Sequence, residues 1–137
     1  MSEASTFRLE IITPERILVS EDVDSIVAPG AQGEFQILPG HTQFLTSLKV
    51  GPLVYDKGGK KYYLSVSGGF CEVMPNRTVI LARTAESADS IDKARAQAAK
   101  ERATKRLAAK KEVPIDEERA KLALFRALNR LHVTDLK

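Results

Sequence analysis

The sequence predicts an α+β protein: an N-terminal antiparallel β-sandwich over residues 1–86, then a C-terminal antiparallel two-helix hairpin over residues 87–137. Three observations carry this. Up to about Thr84, apolar residues alternate with polar ones in short runs broken by Gly and Pro, the pattern of strands with one buried face. From Ile91 the text becomes alanine-rich and helical: IDKARAQAAKERATKRLAA, then KKEVP, then IDEERAKLALFRALNRL. Charge divides at the same place. Residues 1–90 hold 8 Lys+Arg against 11 Asp+Glu, a net of −3, and residues 91–137 hold 13 against 7, a net of +6.

Each element follows from local chemistry. Phe7, Leu9 and Ile11 alternate with Arg8 and Glu10, which predicts a strand. Pro14-Glu15 turns the chain, and Ile17 to Val19 returns it. Val23 to Ala28 reads as the next strand, stopped by Pro29-Gly30, with Gly30-Ala31-Gln32-Gly33 as a tight loop. Glu34 to Leu38 is short and extended and ends at Pro39-Gly40. Phe44 to Leu48 and Leu53 to Tyr55 read as two strands about Gly51-Pro52. Asp56 to Lys61 forms a hairpin turn ahead of Tyr62 to Val66, and Gly68-Gly69 breaks the pattern. Phe70 to Val73 and Thr78 to Ala82 make the last hairpin, about Pro75-Asn76.

The periodicity changes at Glu86. Ser90 is the expected N-cap of the first helix, with Asp92 in its first turn, where the helix dipole favours a carboxylate. Ala96, Ala99, Ala103 and Leu107 share a stripe, edged by Asp92, Arg95, Arg102 and Arg106. Pro114 ends the connector and Asp116 caps the second helix. That helix offers Ala120, Leu124, Ala127, Leu128 and Leu131 as its apolar face, with Arg119, Arg126 and Arg130 near one line.

The totals bound the class. At 137 residues with 43% hydrophobic and 28% charged content, a soluble domain with an appendage is expected. No run of 18 apolar residues predicts a membrane span, and MSEASTFRLE reads as no secretory signal. A single cysteine, Cys71, forms no internal disulfide and fits a reducing compartment; it reads as a small apolar strand residue.

No constellation for catalysis appears. His41 and His132 are far apart, and with one cysteine they make no zinc cluster at standard spacing. Gly58-Gly59-Lys60 lacks the Ser/Thr that a phosphate loop uses for Mg²⁺, and Gly30-x-x-Gly33 reads as a structural turn. Charge runs are usually solvated faces. Here, though, Arg95, Arg102, Arg126 and Arg130 fall where two alanine-rich helices meet, without an equal number of carboxylates. Their planar donor forks suit phosphate or carboxylate, so an anion between the helices relieves their repulsion and closes the hairpin.

The stretch GAQGEFQILPGHTQFLTSLKVGPL, residues 30–53, resembles the signature of the epsilon subunits of bacterial F-type ATP synthases, as does SGGFCEVMPNRTVILA, residues 67–82. IDKARA and RALNRL match that family's C-terminal hairpin, so the resemblance spans nearly the whole chain. It implies a non-catalytic central-stalk subunit, peripheral on the cytoplasmic face of the bacterial membrane, without insertion into it. The implied partners are the gamma subunit, the c-ring and the catalytic beta subunit. Glu34 would face the c-ring and His41 would lie near gamma. The hairpin would inhibit ATP hydrolysis when extended and permit it when folded on the sandwich. Some members bind ATP, as a regulatory ligand needing no metal, through an [IL]-D-x-x-R-A motif; Ile91, Asp92, Arg95 and Ala96 complete it. Glu86, Arg102, Arg126 and Arg130 match the accompanying positions. Two rivals were weighed. A nucleic-acid-binding hairpin is permitted by a pI near 9.1, but aromatics are not interleaved with the basic residues. An enzyme lacks its acid, base and nucleophile.

Overall fold

A computed structural model describes residues 6–40, 42–109 and 117–136. Eight strands precede two helices: β1 (Phe7–Ile12), β2 (Ile17–Val23), β3 (Ser25–Gly30), β4 (Gly33–Ile37), β5 (Phe44–Lys57), β6 (Lys60–Met74), β7 (Arg77–Ala82), β8 (Ala85–Ser87), α1 (Lys93–Ala108) and α2 (Glu117–Leu136). A 3₁₀ turn at Ala88–Ser90 joins β8 to α1.

The strands form one hydrogen-bonded path, β2-β1-β7-β6-β5-β3-β4, with β8 also on β6. All pairs are antiparallel except β1 with β7, which is parallel. The path closes on itself as a sandwich because β5 and β6 each serve both layers. The first part of β6 pairs β8 through Leu64–Val66, and its later part pairs β7 from Gly69 onward. Leu9, Ile11, Val23, Ile26, Leu53, Leu64, Val66 and Ile80, drawn from both layers, are at most 2% exposed and form one core. That core contains no helix residue, so the sandwich buries its own apolar surface.

Four sequence expectations are corrected. The break near the third strand falls at Asp24, and Pro29-Gly30 lies inside β3. Gly51-Pro52 does not divide β5; an irregularity between Val27 and Gly30 in the β3–β5 pairing faces it, so Pro52 breaks no regular ladder there. A Cβ on Gly51 would lie 2.6 Å from Pro29 Cβ, so glycine is what lets the strands approach. Gly68-Gly69 is a corner of the continuous β6, where a Cβ on Gly69 would meet Leu81 O at 2.0 Å. Third, β8 was not foreseen; three residues carry too little pattern.

The fourth correction concerns the helices. Asp92, not Ser90, caps α1: Asp92 Oδ1 accepts from Arg95 N at 3.1 Å. Ser90 Oγ instead donates to Ser87 O at 3.0 Å within the 3₁₀ turn. Pro114 and Asp116 lie outside the described residues. On α2, Leu128 is 40% exposed, whereas Asn129 and Val133 are buried. Helical geometry explains this. Ala120 and Ala127 share one side of α2, and Asn129 and Val133 lie nearly opposite, so both sides are covered. Ala96, Ala103, Ala120 and Ala127 are each at most 4% exposed, which lets the two helices approach closely. Asn129 Nδ2 donates to Ser65 Oγ at 3.0 Å in a buried bond that fixes the other side of α2 to β6.

Candidate functional site

The site is assembled by the junction from β8 into α1 and by the facing edge of α2. Lys93 Nζ lies 3.7 Å from Asp135 Oδ1, setting the start of α1 beside the end of α2, so the hairpin is antiparallel. Arg95, Ala99 and Arg102 recur at spacings of four and three, one face of α1, and Arg126 and Arg130 recur at four on α2.

Two adjoining cavities result. The first, about 210 Å³, is lined by Glu86, Ser90, Ile91, Asp92, Arg95, Ala96, Ala99, Arg102 and Arg130. Seven of the eight residues proposed from the sequence are therefore gathered around one space. The eighth, Arg126, lines the neighbouring cavity of about 250 Å³ with Ala99, Arg102, Ala103, Arg106, Ala120, Ala123 and Arg130. Among the described residues, that second cavity is lined by four arginines and four alanines, with no carboxylate. Ala99, Arg102 and Arg130 belong to both, so the spaces meet along one seam. The sequence reading placed Arg106 on the helix edge but not in the site; its signal was the i, i+4 spacing from Arg102.

The electrostatics of the seam are uneven. Arg130 Nε donates to Glu86 Oε1 at 2.6 Å across the boundary between hairpin and sandwich. Asp92 spends one carboxylate oxygen on the α1 cap. Of the four arginines of the second cavity, Arg130 is paired in this way, and no carboxylate stands among the described lining residues beside the other three. Arginines lining one alanine-walled space favour an anion there, because each supplies charge-assisted donors, although Arg95, Arg102 and Arg106 are exposed and water screens the attraction.

A larger cavity, about 600 Å³, opens elsewhere, between β2, β6 and the 3₁₀ turn, lined in part by Tyr55, Tyr62, Tyr63, Lys60, Lys61 and Glu21. Several of its polar groups already have partners. Tyr55 OH donates to Glu21 at 3.0 Å, Lys57 Nζ lies 2.6 Å from Glu21, and Lys61 Nζ lies 3.1 Å from Asp56. Tyr55 stacks on Tyr62 at 4.9 Å. The Lys57 bond holds the Glu21 carboxyl below the usual carboxylate range, and burial pushes the Tyr55 phenol up.

Of the two sequence-predicted rotor residues, the structure describes Glu34. Glu34 is exposed on β4 opposite Pro29, beside the Ala31-Gln32 tip. His41 lies outside the described residues. A third surface emerges from the sheet register. Phe70 pairs Leu81 and neighbours Leu45, and the three are 56%, 52% and 69% exposed on one face. Adjacent large apolar residues on a sheet face mark an interaction surface.

Among the described residues, no group of three His, Cys, Asp or Glu side chains is placed to hold a metal, and no helix is long and apolar enough to cross a membrane. Cys71 is fully buried, and burial pushes its thiol up to about 12.

Comparison with known proteins adds the family. Residues 6–88 match the beta-sandwich domain of the ATP synthase Delta/Epsilon chain, and residues 89–135 match its long alpha-helix domain. An ATP synthase epsilon chain of Desulforamulus reducens is 52% identical over 132 residues, covering 96% of this chain and 99% of the relative. One from Nitratidesulfovibrio vulgaris is 48% identical over 128 residues, covering 93% and 95%. Among solved structures, a chain of the Euglena gracilis mitochondrial ATP synthase (OSCP/F1/c-ring) superposes with a TM-score of 0.77 at 26% identity, covering 93% of this chain and 82% of its own. A chain from the central stalk/c-ring structure of the Tetrahymena thermophila mitochondrial enzyme gives 0.57 at 15% identity, covering 98% of both, a likeness of fold.

Proposed function

The chain belongs to the ATP synthase delta/epsilon family as an epsilon-type, non-catalytic subunit, and from that premise we propose that it couples the gamma subunit to the c-ring and regulates ATP hydrolysis through its helical hairpin. The Glu34 edge contacts the c-ring. The Leu45–Phe70–Leu81 face rests on gamma, where burial of those side chains is worth roughly 25 cal/mol per Å² removed from water. The complex sits at the cytoplasmic face of the bacterial membrane. When the hairpin leaves the sandwich, its +6 segment approaches the catalytic beta subunit and hydrolysis stops. ATP opposes this by binding the docked hairpin.

The observation that carries the nucleotide reading is the four-arginine cavity, without a carboxylate among the described residues of its lining, joined to the Ile91–Ala96 turn. Phosphates lie between Arg102, Arg106, Arg126 and Arg130, from both helices; base and ribose lie toward Ile91 and Ala96. A ligand that binds only the closed hairpin stabilises it by RT ln(1 + [L]/Kd), about 2.7 kcal/mol at 100-fold excess over Kd. Isothermal titration of the intact subunit with ATP tests this. Saturable heat is expected at or below millimolar ATP, without Mg²⁺, and Arg126→Ala should bind about tenfold or more weakly, since a charge-assisted phosphate contact is worth about 1.5–3 kcal/mol. Absence of heat, or parent-like affinity in Arg126→Ala, overturns the reading.

A further inference from the structure

We propose that the 600 Å³ cavity of the sandwich is a docking slot for an extended peptide segment of a partner protein, one that carries a carboxylate and an apolar side chain two residues apart. The cavity is lined by successive residues, 18–21 of β2 and 60–64 of β6, and is closed by residues 87–89. Side chains alternate between the two faces of a strand, so a space lined by successive residues lies along the strand's edge. Both edges are open. β2 ends the sheet path and pairs with β1 alone among the described strands. β6 carries β5 along one side. On its other side β8 takes residues 64–66 and β7 begins at Gly69, which leaves residues 60–63 with no strand. The chain departs from this edge where β8 ends at Ser87, opposite Leu64. The main-chain N–H and C=O groups along such edges are a template that an added strand completes.

The side chains define what the added strand carries. Lys60, Tyr62 and Leu64 share one face of β6. Lys60 Nζ stands 5.1 Å from the centre of the Tyr62 ring and has no carboxylate partner among the described residues. The acidic groups nearby are already engaged: Glu21 with Tyr55 and Lys57, Asp56 with Lys61, Asp22 with Arg8, and Asp24 with the main-chain N–H of Gly58. A carboxylate opposite Lys60 therefore meets a cation that no other carboxylate holds. An apolar side chain opposite Tyr62 lies against the Tyr55–Tyr62 stack, in a cavity whose β2 wall includes the half-buried Leu18 and Val19. Aromatic pairs across strands are among the favourable ones. The cavity volume falls in the range of built binding sites.

The probe is the end-capped peptide Glu-Thr-Phe-Thr-Glu, which offers a carboxylate and a ring at that spacing in either chain direction. Titrated to millimolar concentration into the nitrogen-15-labelled full chain, it should give saturable amide shifts confined to residues 17–23, 60–64 and 87–89, with the arginine seam unmoved. N-methylation at both threonines removes main-chain donors and should abolish binding. Lys60→Glu should weaken binding about threefold or more, because opposite charges facing across strands attract and like charges repel. Lys-Thr-Phe-Thr-Lys should then bind the variant more tightly than the parent. Absence of saturable shifts means that the lysines merely guard the edge. Equal binding by the N-methylated peptide means that the cavity takes an apolar ligand and not a strand. Shifts at the same amides that grow with protein concentration alone mean that a second copy fills the slot. Each of these results overturns the proposal, as does unchanged affinity in Lys60→Glu.

Discussion

Thr78 Oγ1, on strand β7, is buried without a hydrogen-bond partner among the described residues. A hydroxyl left unsatisfied in a core costs about 1–3 kcal/mol, and valine has nearly the same shape without the polar atom. Thr78→Val should raise stability by about 1 kcal/mol, read as a higher urea midpoint at unchanged slope; a lowered midpoint would mean the hydroxyl has a partner in solution. Cys71 is the opposite case, a buried group at ease in its strand. Burial raises its folded-state pKa to about 12, so the native state disfavours the thiolate and stability falls as pH climbs above the ordinary thiol value. At residue scale the sequence was a good guide to charge and a poor one to geometry. The arginines of the seam were legible because residues of one type recurred at helical spacing. That Asp92, rather than Ser90, closes the first turn of α1 was not, because both are good caps and the 3₁₀ turn decides between them. Nothing in the text marks Thr78 as orphaned; its neighbours come from strands distant in sequence.

At the scale of elements, α2 is the part the sequence described least well. The sequence shows one apolar stripe on it, but α1 and the sandwich cover α2 from two sides, so Asn129, outside that stripe, is buried as well. Leu122 and Phe125 continue the line of Asn129 and Val133 yet are 46% and 53% exposed. The docking side of α2 is thus covered only toward its C-terminal end. Asn129→Ala should weaken docking by about 1–2 kcal/mol, because Ser65 Oγ loses its buried donor. Hydrogen exchange should quicken in α2 and α1 and remain unchanged in β1, β6 and β7. Equal acceleration throughout the sandwich would contradict a docked arm on an independent platform. The β-strands show the converse lesson. Alternation located nearly all of them, but glycine and proline were read as breaks. In β5 and β6 they sit at a close approach and a corner inside continuous strands, which only the pairing partners reveal.

For the whole molecule, the division of charge follows the division of labour. The acidic sandwich has a self-contained core, and the basic hairpin sits on it through α2, with Asn129–Ser65 and Arg130–Glu86 as polar ties among the described residues. Polar ties can be exchanged for water or for a ligand at modest net cost, which suits the detachment proposed for the arm. The platform makes a separate prediction. Glu34→Lys should leave stability within about 0.5 kcal/mol, as exposed substitutions do, while proton-driven ATP synthesis in reconstituted membranes falls. Unchanged synthesis would place the c-ring contact elsewhere.

The central claim is that the hairpin is a removable brake on hydrolysis. Ending the chain after Ala88 deletes both helices and leaves the entire sandwich core, so the shortened subunit should fold and assemble. The most direct measurement is ATP hydrolysis by the complex carrying this shortened subunit, beside the full-length form, at low and high ATP and at two salt concentrations. The account predicts faster, latency-free hydrolysis after truncation, with the largest gain at low ATP and a smaller one at raised salt, where charges are screened over roughly 10 Å at 0.1 M. Equal rates for the two complexes under all of these conditions would contradict it.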